Sequence, residues 1–202
     1  MARCARQDIP RYATGSLAAA LSLYFIYAGR ADLPILAASI FFLLICTVDT
    51  LYSRIPNIAN LFLLLTGFGY HLYSAGSSGV LPAFLGMLTG LALLLLPYLM
   101  GGMGAGDVKA MAALGALLGP AAIFHVFLYM GLIGGSLALI HYAFSPNSKI
   151  KCLEWINSLK AFVYTNDFGN IKSVRSAESL RFPYAAAIAF GFFAWVYWGS
   201  LI

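Results

Sequence analysis

The chain has 202 residues, 61% of them hydrophobic and 9% charged, with a mean hydropathy of +0.85. That composition excludes a water-soluble domain built around one core and points to an all-α polytopic membrane protein, with residues 1–202 forming a single integral membrane domain. The formal charge of +5 reads as a topology signal rather than a nucleic-acid surface, because lysine and arginine collect on the cytoplasmic side of membrane proteins. The three cysteines, Cys4, Cys46 and Cys152, lie far apart without a C-x-x-C pair, so neither a disulfide framework nor a metal site is expected, and nothing implies a cofactor.

Residues 1–12 carry Arg3, Arg6 and Arg11 against Asp8 and read as a basic cytoplasmic N-terminus ahead of an apolar run from Ala13 to Gly29. The pattern fits a signal anchor or first spanning helix. With the small residues Gly29 and Ala31 behind it, it also fits a cleaved signal peptide. A second apolar run, Ile35 to Leu51, ends in Thr47-Val-Asp49-Thr, and a polar hairpin from Ser53 to Asn57 leads to a third run reaching about Tyr73. An uncharged loop, Ser74 to Gly79, precedes the fourth run, Val80 to Leu99.

The glycine-rich stretch from Met100 to Lys109 follows, and the apolar segment from Asp107 to Leu118 is 12 residues long. At 1.5 Å per residue it covers about 18 Å, short of a bilayer's hydrocarbon core, so a short helix starting at the glycines is expected. Ala121 to Phe144 is a full span, residues 145–181 are a polar loop, and Phe182 to Ile202 is the last span. The expected fold therefore has six to seven membrane helices. With the N-terminus inside and every segment crossing, eleven of the twelve basic residues fall on the cytoplasmic side and only Arg30 lies outside. Asp49 and Asp107 then share the cytoplasmic face of the inner membrane.

Within the loop, Ile150, Leu153, Ile156, Leu159 and Val163 recur at helical spacing, so Lys149 to Tyr164 reads as an amphipathic helix on membrane lipid. Residues 165–181 fit that reading or a solvated linker equally. The Gly-x-x-x-Gly pairs Gly86/Gly90, Gly115/Gly119 and Gly131/Gly135 suit close helix packing. His71, His125 and His141 lie on separate segments without metal-ligand spacing and read as packing residues.

A carboxylate at membrane depth is costly and points to function. Gly104 and Gly106 permit unwound backbone and close approach of an extended chain, and they place Asp107 near the positive end of the helix that follows. Taken singly, Asp107 could be an N-cap and Asp49 could pair with Arg54. Taken together, two aspartates at one membrane boundary can share a proton, one acting as base and the other as acid. Lys109 would tune Asp107 or meet lipid phosphate, the second fitting its two-residue spacing better. Pro56 and Asn57 would start the third helix and fix the loop.

The segment from Asp49 to Asn57, Asp-x5-Ile-Pro-Asn, resembles the first signature of the type IV prepilin peptidases, and Gly104-Ala-Gly-Asp107-Val-Lys109 resembles their Gly-x-Gly-Asp-x-Lys signature. Phe182 to Gly191 is similar to the family segment that opens the last helix, so the resemblance covers roughly residues 33–202. It implies an intramembrane aspartyl protease of GxGD type with Asp49 and Asp107 as catalytic pair, and prepilin or pseudopilin substrates cut behind a short basic leader. The amphipathic stretch would hold that leader near the acids. Larger family members carry a zinc-binding domain with paired C-x-x-C motifs and also methylate the product. This chain lacks those cysteines, which leaves methylation unsupported, and it lacks the Pro-Ala-Leu motif of presenilin-like proteases. Two other classes stay open at this point: a small proton- or cation-coupled transporter using the same acids, and a non-catalytic pilus assembly factor.

Overall fold

The computed structural model describes residues 2–28, 32–52, 55–99, 103–143 and 184–200. The amphipathic stretch 149–164 and Arg54 lie outside the described residues. Among the described residues there are seven α-helices: α1 (Ala2–Ala28), α2 (Leu33–Tyr52), α3 (Asn57–Ala75), α4 (Val80–Leu99), α5 (Ala105–Leu118), α6 (Pro120–Ala143) and α7 (Tyr184–Trp198). Among the described residues there is no strand, and the protein is an all-helical membrane protein. By length and composition, α2 and the stretch Asn57–Leu99 are apolar enough to cross a bilayer, and Tyr12–Ala28, Pro120–Ser136 and Tyr184–Trp198 are shorter apolar helices. Helix α1 begins at Ala2 and so takes in the arginine-bearing N-terminus. The expected loop before α4 is in part a 3-10 turn, Gly76–Gly79, in which Gly79 lies tight against the His71 carbonyl and turns α4 back on α3.

Helix α5 is the hub. Nine of its fourteen residues are buried, from Val108 to Leu117. Its alanines and glycine give it no polar face, the pattern of a helix enclosed on all sides. Glycine makes the enclosure possible, because helices in lipid gain most where small residues let backbones approach. Gly86 and Gly90 of α4 lie directly on the carbonyls of Gly115 and Met111, and a Cβ on Gly67 of α3 would come within 2.7 Å of the Leu117 nitrogen. His71 reaches the same end of α5, its Nε2 lying 3.2 Å from the Leu117 carbonyl, one of the acceptors a helix C-terminus leaves unpaired. The pair Gly131/Gly135 makes no such approach: a Cβ at either would meet nothing within 4 Å among the described residues.

A different chemistry joins α1, α2 and α7. Phe25 of α1 stacks on Phe193 of α7 with centroids 4.6 Å apart, and Phe42 of α2 lies 5.4 Å from Phe192 of α7. Helix α6 ties this layer to the hub, since Gly191 of α7 lies so close that a Cβ would be 2.8 Å from the Val126 oxygen. At the other end of α1, Gly15 lies against the Thr50 hydroxyl, one residue from Asp49. The ends of α1, α3 and α7 remote from that point expose Tyr24, Tyr27, Tyr73, Tyr197 and Trp198, as an interfacial aromatic belt does. His125 lines a cavity of about 500 Å³ at this end with Ile35, Trp195 and Ser200.

Candidate active site

Asp49 sits on the last turn of α2, three residues before its end at Tyr52, and is half-buried. Thr47 and Thr50 flank it, each hydroxyl donating to the carbonyl four residues back. Asp107 belongs to the first turn of α5 and is also half-buried. The two acids are 58 positions apart in sequence, yet the packing of α2 against α5 brings their carboxylates within electrostatic reach of each other.

The first turn of α5 differs from the simplest expectation. Asp107 is not the N-cap. Gly104 is, in extended backbone, and the helix begins at Ala105. The Asp107 carboxylate reaches back instead, Oδ2 accepting from the Gly104 amide at 3.1 Å, while the Asp107 amide donates to the Gly104 carbonyl at 3.2 Å. This is the acid's half of a capping box, and it suits a carboxylate near the positive end of a helix. It also engages one carboxylate oxygen.

Gly106 lies close against the Ile-Pro-Asn segment. A Cβ there would lie 3.1 Å from the Ile55 Cβ, tighter than ordinary van der Waals contact. Gly104, by contrast, is exposed, and its nearest neighbour is the Asp107 carboxylate itself. Pro56 is the residue before α3, its φ of −64° and ψ of 128° holding the chain extended as α3 begins at Asn57. The ring fixes that φ in advance. The Asn57 Oδ1 accepts from the Lys109 ammonium at 3.1 Å. Lys109 is thus engaged by Asn57, within the protein.

One site residue escaped the sequence reading. Asn60, one turn beyond Asn57, is 5% exposed and donates through Nδ2 to the Gly106 carbonyl at 3.1 Å. Its signal was a lone amide in the apolar run of α3. The segment 55–60 is therefore a cradle for the segment 104–109, with three contacts: Ile55 on Gly106, Asn57 on Lys109, and Asn60 on Gly106.

Chemically, two half-buried carboxylates on the ends of packed helices are groups that can divide the roles of acid and base. Compared with known proteins, the chain matches the model of the type IV leader peptidase family over residues 36–139, just over half its length, a stretch containing both acids and the whole cradle. No curated protein and no solved structure matches it.

Proposed function

The chain belongs to the type IV leader peptidase family, and from that premise we propose that it is an aspartic endopeptidase in which Asp49 and Asp107 hydrolyse the leader junction of a prepilin or pseudopilin. Membership makes it a peptidase. The observation that carries the finer reading is that Asp49 and Asp107 stand at the ends of two helices, α2 and α5, that pack against each other. Close carboxylates do not both ionise cheaply, so the pair works with one proton. The ionised partner takes a proton from water as the water oxygen bonds to the scissile carbonyl carbon. The protonated partner hydrogen-bonds the carbonyl oxygen and then gives its proton to the leaving nitrogen as the C–N bond breaks.

The proposed site faces the cytoplasm across the inner membrane. The positive-inside count supports this. A basic leader left in the cytoplasm ahead of an apolar helix would present its junction at that depth.

The test is cleavage of a prepilin in membranes holding equal amounts of wild type, Asp49→Asn or Asp107→Asn. Either substitution is expected to lower the rate by roughly 10²–10⁴-fold, the ordinary worth of a positioned acid or base. The wild-type pH profile should be bell-shaped, its two limbs belonging to the pair rather than to one residue. Unimpaired cleavage by both variants would sink the two-aspartate mechanism.

A further inference from the structure

Resting on the reading of Asp49 and Asp107 as the hydrolytic pair, we propose that Asn60 is a positioning residue that sets the Asp107 carboxylate against Asp49 by holding the peptide between Gly106 and Asp107. The carbonyl that accepts from Asn60 Nδ2 is the one joined to the Asp107 nitrogen. The two bonds between Gly104 and Asp107 fix the carboxylate relative to its own turn. They do nothing to fix that turn relative to the rest of the bundle. Gly106 has no side chain with which to grip its neighbours, and the atoms nearest its open side belong to Ile55. The Asn60 bond ties the turn to α3 from the interior, whereas the Lys109 bond to Asn57 is exposed.

Packing alone does not account for an amide at this position. The Asn60 Oδ1 is buried with no hydrogen-bond partner among the described residues, so leucine, of nearly the same shape, would remove that stranded oxygen at the loss of the bond to Gly106 and is expected to fold about as well. The stranded oxygen is tolerated because the other half of the amide holds Gly106. Asn60 does not need to touch substrate to do this. It acts through Asp107.

The experiment uses the full chain in detergent, as wild type, Asn60→Leu, Asn60→Asp and Asp107→Asn, on a synthetic peptide spanning a prepilin leader junction. In Asn60→Leu, kcat is expected to fall about 100-fold with KM within about twofold of wild type, since misplacing a reacting group by an ångström costs that much and leaves binding alone. Its unfolding midpoint should be close to that of the wild type. The infrared carboxyl band that disappears in Asp107→Asn, and so belongs to Asp107, should be displaced. Asn60→Asp should be impaired at neutral pH and recover part of its kcat as the pH falls, because a protonated carboxyl can donate to the Gly106 carbonyl and an ionised one cannot.

An Asn60→Leu variant with wild-type kcat overturns the proposal, as does a loss confined to KM or matching a loss of folded protein. If the wild type does not cleave, or Asp107→Asn cleaves equally well, the hydrolytic reading falls instead. The infrared band then decides for Asn60 independently: displaced in Asn60→Leu, the positioning stands; unmoved, it fails.

Discussion

The two acids hang on differently built parts of the bundle. Asp107 belongs to the α3–α4–α5 wedge, where backbone meets backbone across Gly67, Gly86, Gly90 and Gly115. Asp49 belongs to the α1–α2–α7 layer, where contact is made by phenylalanine rings at centroid spacings of 4.6 to 5.4 Å. Glycine contacts leave the helices little play because the touching atoms are main chain. Ring contacts can re-pack by rotation, at a worth of about 0.5–1.5 kcal/mol per pair. The wedge is therefore the fixed reference for the proposed dyad, and the aromatic layer is the part that can adjust to bring Asp49 up to it. The cradle of Ile55, Asn57 and Asn60, directly after α2, links the chain carrying Asp49 to the turn carrying Asp107.

The difference should show most strongly in Gly86→Ala. The added methyl would overlap the Gly115 carbonyl and come within 2.9 Å of the Gly119 Cα, both main-chain atoms that no rotamer change can move. The expected cost exceeds the ~1–3 kcal/mol of ordinary overpacking, and the variant should lose its monodisperse peak in detergent gel filtration. A well-folded, active Gly86→Ala protein would mean that the wedge is not rigid. Next in size comes Phe192→Ala, in the aromatic layer. Phe192 is fully buried against Phe42 and Phe193. In a water-soluble core such a truncation costs about 3–5 kcal/mol. Here the loss should be smaller, because burial against other helices replaces burial against lipid and only packing is forfeited. Reversible denaturation in mixed micelles measures it, and a loss at the full soluble value would erase the contrast between the two parts.

Much of this was legible in the sequence, and the boundary of legibility has a physical cause. Hydropathy and helix breakers are local signals, so α4 was bounded correctly at Val80 and Leu99, and the short helix after the glycines was anticipated. The glycine pairs on α4 were legible as close-packing positions. Gly131/Gly135 had the same spacing yet touches nothing, while Gly67 and Gly191, outside any such pair, make close contacts. Spacing tells only which glycines share a face, and the neighbour on that face is a tertiary fact. The N-cap was left open for a related reason: a carboxylate at a helix start suits the dipole equally at the cap or three residues in, and only the backbone at Gly104 distinguishes the two. Asn60 was invisible because its meaning lies in a carbonyl 46 positions away.

The smallest expected effect concerns the cradle's exposed contact, and it bears on how the two parts are joined. Lys109 donates to Asn57 at 3.1 Å where solvent and headgroups can compete, so the bond is worth less than a buried charged one. A double-mutant cycle of Lys109→Met and Asn57→Leu should give a coupling on the order of 1 kcal/mol in unfolding free energy, near the mean for a hydrogen bond. The sign of its effect on cleavage is informative beyond the size. If Lys109 serves only to fasten α5 to the start of α3, either single variant should lower kcat slightly and the double variant no further, because the fastening is lost once. If the ammonium also sets the electrostatics of Asp107, Lys109→Met should displace the limbs of the pH profile while Asn57→Leu leaves them in place. The geometry favours the first outcome, since the ammonium is turned to Asn57 and the Asp107 carboxylate to Gly104.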